Sequence, residues 1–177
     1  MDSANLRDMR IQSGLITISS IGPSSLGIHT RSTPGDSTWF QGSTAIFIPF
    51  RIAEPFVAIN LWLFNGSVVN GNIDLGIYDV RAERIVSTGS TPQAGVSAIQ
   101  AIAISALLLK PGVYYMALAI DNITARTQRT STGNICDGRT QGLAQMAAAF
   151  PLPATVVLAS LTTTNLPIMG LTLRSTV

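Results

Sequence analysis

His29 is the chain's single histidine and Cys136 its single cysteine, so a nucleophilic hydrolase built on this sequence would have to use one of them or both. Such chemistry needs a nucleophile, a base to take its proton and a third group to orient the base. Cys136 or a serine could serve as the first, His29 as the second and an aspartate as the third. Nothing local favours the arrangement. There is no G-x-S-x-G elbow, and neither His29 nor Cys136 sits in a catalytic signature. His29 stands among Thr30, Arg31 and Ser32, the setting of a solvated loop.

Metal chemistry is equally short of parts. One histidine and one cysteine cannot furnish the four ligands of a structural zinc site. Asn70, Asn72 and Asp74 form the only tight set of oxygen donors, and their alternate spacing puts them on one side of an extended chain. A hairpin turn uses the same residues with no ion, since asparagine and glycine tolerate positive φ. Glycoside cleavage would need two carboxyls facing each other across a cleft. The two glutamates, Glu54 and Glu83, give no sign of such a pair, and no phosphate-binding glycine loop is present. The chain is expected to be no enzyme and to hold no metal or cofactor.

Aromatic side chains are the remaining ligand candidates. Trp39, Trp62, Tyr78, Tyr114 and Tyr115 could stack on a sugar, because aromatic faces pack on the apolar patches of such ligands. Trp39, within Ser37-Thr38-Trp39-Phe40, has the most exposed context and is the ligand-binding candidate. Trp62, between Leu61 and Leu63, belongs to a core.

These residues stand on a scaffold with an unusual surface. Of 177 residues only 11% are charged, under half the roughly 25% of ordinary domains, while 46% are hydrophobic. A chain of this length buries enough surface to fold without a disulfide or metal. The net charge of +2 comes from ten arginines and Lys110 against nine acids. Arg126, Arg129 and Arg139 are the nearest approach to a basic cluster; nucleic-acid binding wants a broader footprint and is not expected. The first ten residues carry no basic stretch leading into an apolar run, so no secretory leader is expected. Val96 to Ile120 and Thr140 to Leu173 imitate membrane spans. Pro111-Gly112 splits the first, and Pro151, Pro153 and Pro167 break the second, so membrane insertion is not expected. The uncharged second stretch is suited to a core or to a neighbouring subunit.

The dominant hydrophobic period is two. Val57, Ile59, Leu61 and Leu63 make one face of a strand whose other face is also largely apolar. In Ile73 to Val80, Ile73, Leu75 and Ile77 alternate with Asp74, Gly76 and Tyr78, which predicts one face in the core and one in water. Ile46 to Ile52 is an earlier strand that Pro49 places at an edge or a bulge. Arg84 to Thr88, Ala98 to Leu109, Val113 to Asp121, Ala154 to Thr164 and Ile168 to Arg174 complete about eight. Asn65-Gly66-Ser67, Asn70-Gly71-Asn72 and Pro111-Gly112 read as tight reversals. Gly142 to Phe150 has room for at most two helical turns. Short strands between frequent turns predict an all-β fold, an antiparallel two-sheet sandwich of jelly-roll type spanning 43–177. Residues 1–42, rich in Ser, Thr and Gly with Leu15 to Ile18 as their one strand-like piece, read as an N-terminal arm or loosely packed extension.

From Asn60 to Asp121 the order of features carries a resemblance. A strand ending in Asn65-Gly66 is followed by Ile73-Asp74-Leu75-Gly76-Ile77-Tyr78-Asp79, then Arg84-Ile85-Val86-Ser87-Thr88-Gly89. Later comes Leu109-Lys110-Pro111-Gly112-Val113-Tyr114-Tyr115-Met116-Ala117-Leu118. This order resembles jelly-roll modules of tailed-bacteriophage virion proteins, such as tail-fibre, baseplate and head-decoration components, over about a third of the chain. Similar strands occur in carbohydrate-binding modules. The resemblance implies a structural part of a virion whose partners are copies of itself and other virion proteins. A receptor-binding or carbohydrate-binding module that meets a host-surface glycan is the alternative. Permanent assemblies use apolar, charge-depleted contacts. The apolar residues expected at an assembly interface are Leu6, Met9 and Ile11 in the arm and Met146, Phe150 and Leu152 in the uncharged stretch.

Overall fold

Strands dominate because β-branched and aromatic residues alternate between frequent turns, a pattern that suits a pleated surface and no helix. The computed structural model describes residues 15–17, 35–131, 142–163 and 165–174. Its strands are, in chain order, β1 (Leu15–Thr17), β2 (Gly35–Thr38), β3 (Thr44–Ile52), β4 (Phe56–Phe64), β5 (Asn72–Tyr78), β6 (Arg84–Ser87) and β7 (Thr91–Pro92). There follow β8 (Ile99–Leu109), β9 (Gly112–Ile120), β10 (Arg126–Ser131), β11 (Ala144–Met146), β12 (Ala159–Ser160), β13 (Asn165–Pro167) and β14 (Met169–Arg174). Among the described residues there is no helix.

The long strands alternate between two antiparallel sheets. One has the order β1-β14-β4-β8, the other β12-β11-β3-β9-β5-β6, with β7 pairing the start of β5. Thus β3, β5 and β9 lie in one layer and β4, β8 and β14 in the other, and the chain crosses over at nearly every turn. A small sheet, β13-β10-β2, continues from the end of the first through a bridge between Asn65 and Thr127. This is the antiparallel sandwich that the periodicity predicts. Between its layers lie Ile46, Ile48, Phe50, Ile73, Leu75, Ile77, Met116, Leu118 and Ile120 from one sheet and Leu61, Leu63, Met169 and Leu171 from the other.

Several local expectations change. The face Val57, Ile59, Leu61, Leu63 is interrupted by a bulge between Ala58 and Asn60, which turns Ala58 into the core in place of its odd-numbered neighbours. Pro49 lies beyond the short β11, which pairs β3 only at Ala45, Ile46 and Phe47, so its missing N–H interrupts no ladder on that side. Ala154 to Thr163 is not a continuous strand; Ala159–Ser160 pairs with β11, and Thr155 makes an isolated bridge to Glu83. Gly142 to Phe150 forms β11 and a turn and no helix. The described strands number fourteen and not about eight, the excess being short pieces such as β7 and β12.

The boundary expected at residue 42 also moves. Gly35–Thr38 pairs β10, Trp39 is in the main core, and Leu15–Thr17 pairs β14, so these pieces belong to the body of the domain. Gly66 was expected to supply positive φ; it supplies room instead. A Cβ there would come within 2.0 Å of the Asp36 carboxylate and 2.7 Å of Arg126. Gly71 does adopt positive φ, at +64°, as the Asn70-Gly71-Asn72 turn predicts.

The largest departure concerns β5. Its alternation predicts one wet face, yet every residue from Ile73 to Tyr78 is buried. After β11, the segment from Ala147 to Val156 lies over the outer face of the sheet as a third layer. It makes a second core of Ala45, Phe47, Tyr78, Ala117, Ala119, Ala149, Leu152 and Val156.

A candidate interaction surface

The third layer is held by main-chain hydrogen bonds as much as by apolar contact. Asp74, fully buried, accepts from the Leu152 N–H at 2.9 Å and from the Ser87 hydroxyl at 2.7 Å. The Tyr78 hydroxyl donates to the Pro153 carbonyl at 2.6 Å, and the Arg84 guanidinium donates to the Leu152 carbonyl. The Ala149 N–H meets the Ser43 carbonyl at 2.6 Å, and the Arg84 N–H meets that of Ala154 at 2.8 Å. Gly76 leaves the space into which Leu152 packs, since a Cβ there would lie 2.8 Å from the leucine methyl. Part of the uncharged stretch therefore covers the chain's own sheet. Leu152, expected at an assembly interface, is 1% exposed and is a core residue; an apolar residue in a charge-free stretch looks the same for either role. Met146 and Phe150 are half-buried against the same second core. Leu6, Met9 and Ile11 lie outside the described residues.

Trp39 requires a correction. Its polar neighbours suggested an exposed sugar platform, but it is 4% exposed, and its indole N–H donates to the Thr44 carbonyl at 3.0 Å. The ring stacks at a tilt on Phe40, between the small sheet and the main core. Trp62 is buried, as the two apolar faces of its strand predict. Tyr78 is buried too, while Tyr114 is half-buried, with its hydroxyl on the Lys110 carbonyl and its ring against Phe50. Tyr115 packs beside the second core. No aromatic row spans an open face in this set.

The other candidates are dispersed. Asn70 donates to Thr124, Asn72 donates to Asp121 at 2.9 Å, and Asp74 is committed to the third layer, so the donor set is used within the fold. Among the described residues no group of three potential metal ligands forms. Glu54 lies between β3 and β4; Glu83 lies between β5 and β6, paired with Arg81 at 3.0 Å. Arg126 and Arg129, three apart on β10, point to opposite faces, and Arg126 pairs with Asp36 at 3.1 Å. His29, Cys136 and Arg139 lie outside the described residues. Among the described residues no helix is long and apolar enough to cross a membrane.

One surface feature is set by the sheet order. Among the described residues β8 is an edge strand of 11 residues, paired on one side with β4, and it contains no Asp, Glu, Lys or Arg. Proteins commonly protect such edges by shortness, charge or proline. The other sheet edges among the described residues follow that rule. β1, β2, β12 and β13 have two to four residues, and β6 begins at Arg84, next to Glu83, and is bonded to the third layer. The sequence signal was present, as a long uncharged run with small residues at Ala101, Ala103 and Ala106, but strand order was not readable from it.

The shifted ionisable groups bear on stability. Burial pushes the Asp36 carboxyl upward, but hydrogen bonds from Ser67 and Arg126 outweigh it and hold the group below its ordinary range. Burial likewise raises Asp121, and hydrogen bonds from Asn122 and Asn72 bring it below the usual value. Burial drives the Tyr78 phenol well above its own. Carboxyls depressed in the folded state stabilise it above about pH 4, and that contribution is lost as pH falls through their folded values. The raised phenol contributes stability that is fully present below about pH 10 and lost as pH rises beyond it. Thermal melts should show a plateau between about pH 5 and 9 with a decline on each side. Asp36→Asn should soften the acid decline and Tyr78→Phe the alkaline one. Melting temperatures with unchanged pH slopes in both variants would refute these assignments.

No protein-family model, no curated protein and no solved structure matches the chain.

Proposed function

We propose that the protein is a structural, non-enzymatic component of a tailed-phage virion, a β-sandwich that assembles with copies of itself and with other virion proteins through apolar contacts. The observation that carries the reading is the combination of a sandwich fold with a sequence that is 11% charged. A surface with so few charges suits contacts made once and kept, because permanent interfaces are depleted in charge and resemble a divided core. The resemblance of Asn60 to Asp121 to virion jelly-roll modules supplies the setting. The long uncharged edge of β8 adds to it. Burial of Trp39 takes away the residue on which a glycan-binding reading stood.

Antibody raised against the purified chain and applied to particles from a lysate in which it is made tests the placement. Gold label should decorate tailed particles at one recurring position in electron micrographs. Label confined to the particle-free fraction would refute the assignment.

A further inference from the structure

The register of β8 on β4 fixes which of its backbone groups are free. The Asn65 N–H donates to the Ala98 carbonyl at 2.9 Å, and the ladder continues through the pairs Leu63 with Gln100 and Leu61 with Ile102. In an antiparallel ladder, hydrogen-bonded and non-hydrogen-bonded pairs alternate. Ile99, Ala101 and Ala103, opposite Phe64, Trp62 and Asn60, are therefore the residues that turn both N–H and C=O away from β4. Their side chains are exposed, whereas Gln100, Ile102 and Ile104 lean inward. Beyond Ala103 the register shifts, with Leu107 the next partner of β4, so Ile99 to Ala103 is the regular part of the edge.

We infer that this edge is a self-pairing site, where β8 of one copy joins β8 of a second in antiparallel register about a two-fold axis at Ala101. The occupant is identified by self-complementarity. With the axis at Ala101, Ala101 faces its own counterpart and Ile99 faces Ala103 of the second copy. Every outward donor then meets an outward acceptor, in three pairs of two hydrogen bonds each. The side chains fit the same axis. Two alanines meet at the centre, where like charges or bulky groups would oppose each other, and each isoleucine packs over an alanine. The absence of charge along the strand means that a two-fold axis juxtaposes no like charges. Pairing joins two four-stranded sheets into one of eight strands and removes the longest unprotected edge among the described strands. The inference rests on the self-assembly part of the proposed function and is independent of its placement in a particle.

Sedimentation velocity of the full chain tests the site, with circular dichroism to verify folding. The wild type should sediment as a dimer at micromolar concentration. Ala101→Lys and Ala101→Glu should each weaken the dimer at least about tenfold, because each sets two like charges opposite one another. An equimolar mixture of the two variants should regain it, a result that only a register placing position 101 against itself produces. Ala101→Pro removes an outward N–H without touching the β4 ladder and should also yield monomer. An assembly that survives all three substitutions would overturn the pairing and leave self-assembly standing on another surface. A monomeric wild type would overturn both, and the particle labelling above would still decide the virion placement separately.

Discussion

Replacing Phe47 by alanine should lower the stability of the domain by about 3–5 kcal/mol, the range for a phenyl group deleted from a packed interior. Phe47 is fully buried on the outer side of β3, edge-on to the Tyr78 ring at 5.3 Å between centroids. Its neighbours include Ala45, Ala117, Ala119 and Ala149, whose methyl groups cannot swing into the space left behind. Domains of this kind are held by about 5–15 kcal/mol, so the change should consume a large share of the total. The melting temperature should drop by about 6–20 °C, given roughly 2–4 °C per kcal/mol at this size. Phe47→Leu fills most of the volume and should lose far less. Urea unfolding of the three proteins checks this, and a loss below about 1 kcal/mol for the alanine variant would mean that the third layer is not seated on the sheet.

Asp74→Ala should cost about 2–4 kcal/mol by a different route, the stranding of hydrogen-bond donors in a dry interior. The carboxylate is fully buried and receives the Leu152 N–H and the Ser87 hydroxyl on separate oxygens. Its removal unfastens the third layer at the point where the Asp74 side chain ties it to β5. Amide hydrogen exchange gives the specific readout. The Leu152 amide should lose its protection in the variant, while amides of Leu61 and Leu63 in the opposite sheet keep theirs. Asp74→Asn retains one acceptor and should fall between the two. Leu152 exchange that is unchanged in Asp74→Ala would remove the carboxylate from this role.

How much of this could be read from the sequence depends on whether the signal was local. The alternation in β3, β5 and β9 and the Pro111-Gly112 reversal are properties of neighbouring residues, and they led to the sandwich. Asp74, Gly76 and Tyr78 looked like a wet face because two of the three are polar or small. Their burial depends on residues some seventy positions away, as the bond from Tyr78 to Pro153 shows. Trp39 misled for the same reason: Ser37 and Thr38 lie beside it in the chain, but Thr44 and Ala125 lie beside it in space. The neighbours of Gly66 point to a turn glycine, whereas the close approach of Asp36 and Arg126 that requires it leaves no trace in the local pattern. The candidate edge was legible as composition and illegible as an edge, because that status is a fact about which strands pair.

The place of β14 has a consequence for biosynthesis. This strand sits between β1 and β4, yet it is the last of the described strands to leave the ribosome. Until it arrives, β4 has an open flank, and Leu61 and Leu63 lack Met169 and Leu171 as neighbours. The nascent chain must carry that greasy half-sheet until residues 65–168 have been made, and closing so long a loop is slow. Such half-made layers are what chaperones shelter from clumping. The final strand acts as a keystone, and the chain stands only after it drops in.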